Sequence, residues 1–434
     1  MEHNQRILIL PSWYPPDGGY FFKEHSEAIL SLGWDVDVLV NRVVGVRKLI
    51  QAGLGALRGS RILSENGLRV MRAVYLKIPG AEKKNIRRWS QLTLKHFSRY
   101  EKRFGPPSLI LCHSVTWAGY AASLIREKSG VPYIVVEHRS FFVFSTPEAR
   151  AMVKDFYLPF FEKAYRDAAM VVPVSESLTG GLKELMPWIG EKIRVIPNMI
   201  REDMFLPPDK PRTAPSGTPE PGVAASGIAA SAAAEPGANA SGIAASGAAA
   251  SAAAEPFVFF WAGRLEHVKG VDVLVEAVRS LKEKATKDFT VRLAGKGSLR
   301  AALEEQVRQA GVSDLVVFLG RISREEIQRE MQGANCFVLP SRYEAFGAVL
   351  IEAMATGLPV IATRSGGPDH IVNRECGILV DADDPASLCK AMEQLLAHYE
   401  TYSQDLIRNR CMERFGHKTV LKQYDQLFRQ ILDQ

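Results

Sequence analysis

Along the chain, short apolar runs alternate with stretches of helical periodicity in two series, separated by a segment with almost nothing to bury. The first series opens with the apolar run 7–10, closed by Pro11 and a polar Gly/Pro-rich loop to Gly19. Phe21, His25, Ala28, Ile29 and Leu32 then recur at three- and four-residue intervals, which predicts a helix from about Tyr20 to Gly33. The run 36–40 is the next strand, and strand–loop–helix–strand predicts a parallel βαβ unit. Runs at 108–112, 132–136, 169–175 and 193–198 predict further strands, with a helix over 119–126.

The second series starts with a strand over 257–261. A helix over 270–281 carries Val271, Leu274, Val275, Val278 and Leu281 on one side. Runs at 290–294, 315–319, 336–340, 359–362 and 377–380 predict strands with helices between them. An amphipathic helix over 418–432 closes the chain. Each series predicts a doubly wound α/β domain with its loops at one edge. Between them, residues 213–256 turn to Ala, Ser, Gly and Pro. ASGIAAS occurs at 225–231 and again at 240–246, a short expanded repeat expected to be a disordered linker. The expected division is therefore 1–205, a linker over 206–256, 257–415, and a final helix at 416–434.

Composition changes this picture little. With 434 residues, 47% hydrophobic and 24% charged, two domains of a soluble globular protein are expected. Cys112, Cys336, Cys376, Cys389 and Cys411 form no CxxC pair, which argues for buried thiols in a reducing cytosol. No signal-peptide core or 18-residue apolar span occurs, so a cytoplasmic location is expected. Charge adds more. Residues 1–205 hold 29 Lys/Arg against 20 Asp/Glu, and 16 of those cations lie between Arg42 and Arg103 with three acids. A predicted amphipathic helix over 46–57 and the cluster Lys83, Lys84, Arg87, Arg88 and Trp89 read either as solvated faces or as contacts with an anionic membrane or a phosphate-bearing acceptor. No nucleic-acid reading motif accompanies the charge.

The chemistry concentrates at 341–369, SRYEAFGAVLIEAMATGLPVIATRSGGPD. Glu344 and Glu352 lie eight positions apart across a loop entering a helix opened by Gly347. Fully helical spacing would separate them by roughly 12 Å, which suits the two ends of an elongated polar ligand. A helix N-terminus offers unpaired N–H groups to an anion. In GRLEHVKG at 263–270, Arg264 and Lys269 flank a strand-to-helix loop as phosphate ligands or as plain surface cations. His113 and His138 stand at strand ends, where ligands of parallel sheets bind. Gly18-Gly19 read as a close backbone approach to a ligand or as a tight turn.

These pieces together resemble the retaining glycosyltransferases of group 1, the GT4 type with the GT-B fold. The resemblance rests on GRLEHVKG, AGKGS at 294–298, the spacing Glu344 to Glu352, SGGPD at 365–369, PSWYPPDGG, the His138 strand end and VIPN at 195–198. It implies two Rossmann-like, doubly wound domains facing across a cleft, with the final helix crossing back to the first. Arg264 and Lys269 would bind the donor diphosphate, and Glu352 the ribose hydroxyls. Glu344 with the Phe346 and Gly347 amides would hold the transferred sugar. Arg321-Ile322 would meet the base, and His138 would reach the sugar from the opposite domain. Gly18, Gly19, Gly263 and Gly297 would be further substrate contacts. Asp369-His370 departs from the acidic residue that the family commonly carries near His370.

The resemblance implies no cofactor and no metal. The expected reaction moves a hexose from a UDP- or GDP-sugar to a cell-surface glycan, lipid or polysaccharide, in the cytoplasm or at the inner face of the plasma membrane. A nucleotide-sugar epimerase, a phosphorylase and a catalytically silent sugar-nucleotide-binding subunit are the alternatives.

Overall fold

The computed structural model describes residues 5–15, 18–45, 61–143, 150–209 and 255–433. The predicted helix over 46–57 and nearly all of the Ala/Ser/Gly/Pro stretch lie outside these.

In the first half, β1 (Arg6–Pro11), β2 (Asp35–Val44), β5 (Leu109–His113), β6 (Tyr133–Glu137) and β7 (Met170–Pro173) are parallel, with α1 (Tyr20–Ser31) between the first two. With β3 (Arg61–Glu65) and β4 (Leu68–Leu76) at one edge, the sheet order is β3-β4-β2-β1-β5-β6-β7. Central strands such as β5 and β6 are buried on both faces, so they read as continuous apolar runs without alternation. The sequence reading missed a hairpin, β3 (Arg61–Glu65) and β4 (Leu68–Leu76), which is antiparallel at the sheet edge. Its signal was Asn66-Gly67, both with positive φ, a pair that suits a two-residue hairpin turn. β3 is only five residues long and exposed, with Ile62 and Leu63 in solvent, so no alternation marked it.

The helix α2 (Glu82–Phe104) follows, then α3 (Tyr120–Ser129), α4 (Leu158–Asp167) and α5 (Ser177–Leu185). Trp89 is not part of a surface cluster. It is fully buried in α2, and its Nε1 donates to the Asn41 carbonyl at 2.9 Å. The expected strand at 193–198 is also absent as such. Arg194 and Ile196 donate to carbonyls of β7, but only a single bridge, Ile193 to Val171, forms. Pro197 cannot donate and ends the pairing.

The second half is fully parallel. β8 (Phe257–Arg264), β9 (Phe289–Lys296), β10 (Val316–Gly320), β11 (Cys336–Leu339), β12 (Val360–Thr363) and β13 (Gly377–Val380) take the order β10-β9-β8-β11-β12-β13. The helices are α6 (Val271–Lys282), α7 (Arg300–Gln309), α8 (Arg324–Gly333), α9 (Ala348–Ala355), α10 (Pro385–Ala397) and α11 (Gln404–Phe415).

Strand alternation splits β8 between two cores. Phe257, Phe259 and Trp261 face a cluster with α6 and α10, whereas Phe260 and Ala262 face one that continues into the first half. The last helix, α12 (His417–Leu432), joins that continuous core: Tyr424 packs on His25 at 4.4 Å between ring centroids, and Trp34 Nε1 donates to Asp425 at 2.9 Å. All five cysteines are buried and unpaired. Among the described residues no helix is long and apolar enough to cross a membrane.

Candidate active site

Each half contributes its strand ends. In the first, His113 closes β5 and His138 follows β6. The sheet brings the two together, with His113 Nδ1 and His138 Nε2 3.1 Å apart. Phe22 stacks on His113 at 4.3 Å and Phe21 meets His138 edge-on at 4.8 Å. Burial holds both imidazoles well below the usual histidine range, so both are neutral. The buried Glu137 carboxylate accepts from the amides of Val115, His138 and Arg139 and from the Tyr165 hydroxyl, which fixes the backbone on either side. Gly18 and Gly19 lie beside Trp13, at the entry to α1.

In the second half, Glu344 sits outside any helix, so the helical spacing used to separate it from Glu352 does not apply. Its amide donates to Ser365 O (2.8 Å) and its carbonyl accepts from Gly367 N (2.7 Å). Gly367 is required by this close approach, because a Cβ there would lie 2.3 Å from Phe346 Cα. Clamped in this way, Glu344 Oε2 meets Lys269 Nζ at 2.5 Å, with side chains only 15% and 20% exposed. Gly347 caps α9 in the left-handed region, and neither its amide nor that of Phe346 has an acceptor among the described residues. Ser175, from the first half, donates to the Ala345 carbonyl at 2.5 Å, tying the two strand-end surfaces together at this loop.

Glu352 lies in α9 and is not free. Arg324, the first residue of α8, donates to it at 3.1 Å and also to Glu24 of α1 in the opposite half. Burial raises the Glu352 carboxyl to about 7, with Arg324 opposing the rise and Glu24 adding to it. A cavity of about 90 Å³ opens here between Phe21, Glu24, His25, Arg324, Glu352 and Tyr424. Sequence reasoning missed both Glu24 and Arg324. The capping box at Ser323, with Glu326 three residues on, marks the start of α8 and was the available sign for Arg324. Nothing local distinguishes Glu24 from any exposed helical acid.

The remaining candidates sit around this centre. Arg264, at the end of β8, is 69% exposed and paired with Glu266 at 2.7 Å, so it is not drawn into the Lys269–Glu344 contact. Gly263 packs on the Trp261 ring. Gly297 lets the β9 loop close on the β8 loop, since a Cβ there would lie 2.1 Å from Leu265 O. Arg321 is exposed and Ile322 half-buried, just before α8. His370 is exposed, and its carbonyl accepts from Arg414. Among the described residues no group of three or more His, Cys, Asp or Glu side chains is placed to hold a metal ion.

Comparison with known proteins decides the family. The model for "Glycosyl transferases group 1" matches residues 248–410 and that for "Glycosyltransferase Family 4" matches 19–203, together most of the chain. The chain belongs to the group 1 glycosyltransferases. Similar curated relatives include D-inositol 3-phosphate glycosyltransferase of Corynebacterium diphtheriae, 39% identical over 153 residues, which are 34% of this chain and 36% of the relative. Another is 2-deoxystreptamine N-acetyl-D-glucosaminyltransferase of Niallia circulans, 34% identical over 31% of this chain and 35% of the relative. These matches thus span about a third of the relatives' length.

Among solved structures, sucrose-phosphate synthase of Thermosynechococcus elongatus superposes with a TM-score of 0.72 at 20% identity, over 99% of both chains. Anabaena Alr3699/HepE, solved in complex with UDP-glucose, gives 0.64 at 18% identity over 98% of this chain and 99% of its own. At such identities the likeness shows the fold, and this group 1 glycosyltransferase has the two-domain GT-B architecture.

Proposed function

We propose that the chain is a retaining, metal-independent hexosyltransferase that moves a sugar from a UDP- or GDP-sugar to a glycan, lipid or polysaccharide acceptor. The observation that carries this reading is the clamped loop. It aligns Glu344 with Lys269 and leaves the Phe346 and Gly347 amides without acceptors beside it. The names of the curated relatives, which are sugar transferases, and the UDP-glucose complex of a protein with the same fold agree with it.

In this reading the bond between the anomeric carbon and the diphosphate oxygen breaks, and negative charge grows on the leaving group. Lys269, already held by Glu344, stabilises it as a fixed cation, and Arg264 adds a second charge. Arg264 must leave Glu266 to take part. The acceptor oxygen bonds to the anomeric carbon from the same face, and its proton passes to a leaving phosphate oxygen, so no protein base is needed. Glu352 accepts the ribose hydroxyls once Arg324 yields a carboxylate oxygen. His138 meets the sugar from the first half, and Arg321-Ile322 border the base.

Thermal-shift titration with UDP-, GDP- and ADP-sugars tests the donor. Stabilisation by one nucleotide, lost in Arg264→Gln, is expected, whereas no stabilisation by any of them would end the reading.

The same proposal places the protein against an anionic membrane surface. On α2, Lys84, Arg88, Lys95, Arg99 and Lys102 are all exposed and recur at spacings of four, seven, four and three, which puts them on one face. Each cation adds roughly 1 kcal/mol near such a surface. Sedimentation with phosphatidylglycerol vesicles should fall sharply when Lys84, Arg88, Lys95 and Arg99 are changed to Glu. Equal pelleting would remove the membrane from the proposal.

A further inference from the structure

Arg139 follows His138 at the carboxyl end of β6, and its guanidinium is held in place with no carboxylate in ion-pair contact among the described residues. It lies over the rings of Trp13 and Phe141, 5.1 and 5.3 Å from their centroids, and its Nε donates to Ser114 Oγ at 3.3 Å. Its two terminal nitrogens have no acceptor among the described residues. Other arginines of the same domain are neutralised: Arg6 and Arg69 lie on Asp37, and Arg72 on Glu65. The Arg139 charge opposes the rise that burial imposes on the Glu137 carboxyl, but no ion-pair contact joins the two, and Glu137 accepts instead from three amides and a tyrosine hydroxyl.

Ser114 is unusual in its own right. It is a buried non-glycine residue at φ 74° and ψ 138°, a conformation costing about 1–3 kcal/mol that persists only where its surroundings enforce it. They do so here: its amide donates to Val136 O, and its carbonyl accepts from Ser12 Oγ. A π-helical turn, Val115–Gly119, follows directly, a local geometry frequent at functional sites.

The position matters as much as the partners. β1 pairs with β2 on one side and β5 on the other, so the crevice beyond β1 and β5 is the topological switch point where parallel sheets bind ligands. Trp13 and Ser114 emerge from those two strands. The segment that carries Arg139 also reaches the other half, since Val143 lies against Gly366 in the turn that clamps Glu344.

We infer that Arg139 and Ser114 form an anion subsite in the acceptor half, and that the acceptor carries a phosphate or carboxylate near the hydroxyl that is glycosylated. Calling the ligand an acceptor rests on the proposed transferase reading; the anion subsite itself does not. The two aromatic faces fix the guanidinium plane, leaving its outer donors as a preformed fork for two anionic oxygens. Ser114 Oγ accepts from Nε and so keeps its own proton to donate to the same anion. The excess of cations in residues 1–205 favours approach of such a ligand.

The test titrates inorganic phosphate into the full chain by calorimetry, in the presence of saturating UDP or GDP to occupy the donor site. Wild type should bind phosphate in the millimolar range. Arg139→Gln should weaken it at least tenfold, Arg139→Lys and Ser114→Ala severalfold, with nucleotide affinity unchanged in all three. Arg264→Gln should do the reverse, losing nucleotide and keeping phosphate. Equal phosphate affinity in wild type and Arg139→Gln, or no binding to wild type, overturns the subsite. If nucleotide fails to bind any protein while Arg139→Gln still abolishes phosphate binding, the donor reading falls and the subsite stands. Competition against phosphate by glycerol 3-phosphate, or by phosphatidylglycerol vesicles but not phosphatidylcholine, tells a soluble phosphoester from a lipid headgroup. Competition by neither counts against the proposal. Should Arg139→Gln not fold, Ser114→Ala carries the comparison.

Discussion

Lys269 Nζ lies 2.5 Å from Glu344 Oε2, joining the loop after β8 to the loop after β11 across 75 residues of sequence. Both side chains are mostly shielded, so neither charge is tolerable alone. Lys269→Met should therefore destabilise the fold by about 2 kcal/mol, the full penalty for a buried pair being reduced by partial exposure. Turnover should fall on the order of 100-fold or more, as when a fixed transition-state charge is removed. Lys269→Arg should recover most of the stability and less of the turnover. Unchanged thermal midpoint and rate in Lys269→Met would make the pair incidental.

Arg324 gives a second, longer-range coupling, because it bonds to Glu24 in one domain and Glu352 in the other. A double-mutant cycle on Glu24→Gln and Arg324→Gln should show a coupling of about 1–3 kcal/mol in urea unfolding. Additive effects would mean that the contact contributes nothing to holding the halves together.

Glu352 also carries a pH signature. Its carboxyl, raised to about 7 mainly by burial, is increasingly protonated below that value. A protonated carboxyl is a poorer acceptor for ribose hydroxyls, so nucleotide affinity should climb between pH 6 and 8. The stability term runs the other way. From about pH 4.5 to 7 the folded state keeps a proton that the unfolded state has lost, so this one group makes stability fall as pH rises. Glu352→Gln should flatten the affinity profile; an identical profile in that variant would assign the titration elsewhere.

The parallel strands and most helices were legible because buried strands are unbroken apolar runs and buried helix faces repeat at 3.6 residues. The β3–β4 hairpin was not: β3 is short and exposed, with Ile62 and Leu63 in solvent, and the alternation in β4 was passed over inside a segment read for its charge. At the site, the loop with Glu344 was visible from its glycines, and its clamp by 365–367 explains the spacing of that motif. The roles of Arg139, Ser114, Glu24 and Arg324 were hidden for a common reason, although the capping box at Ser323 marks where Arg324 stands. Their significance lies in partners 25 to 300 residues away, and no local pattern encodes such a meeting.

Gly367 tests the clamp directly. A methyl group there would overlap the Phe346 backbone, which cannot move without dragging Glu344 and the entry to α9. Gly367→Ala should thus cost several kcal/mol and abolish nucleotide-induced stabilisation. The neighbouring surface change Arg364→Ala, at a side chain 54% exposed, should do neither. Wild-type behaviour of Gly367→Ala in thermal shift would show that the turn is pliable.

The histidines of the first domain make a prediction of opposite sign to that for Glu352. His25, His113 and His138 lie together, and burial holds all three far below the usual range, His25 at about 3. The unfolded chain therefore takes up protons below about pH 6.5 that the folded state refuses, and stability must fall as pH drops through that window, by up to about 1.4 kcal/mol per unit for each histidine. Within the pair, one neutral ring must donate and the other accept across the 3.1 Å contact. His113→Phe keeps a ring against Phe22 but leaves the His138 nitrogen buried without a partner, a loss of about 1–3 kcal/mol. His113→Asn keeps a polar atom near the place of Nδ1 and should restore most of that loss. Nitrogen-15 shifts of His138 should report one dominant tautomer in wild type and in His113→Asn, and a mixture in His113→Phe. Equal stability of the two variants, with the His138 shifts unmoved, would mean that the contact between the rings sets neither the tautomer nor the fold.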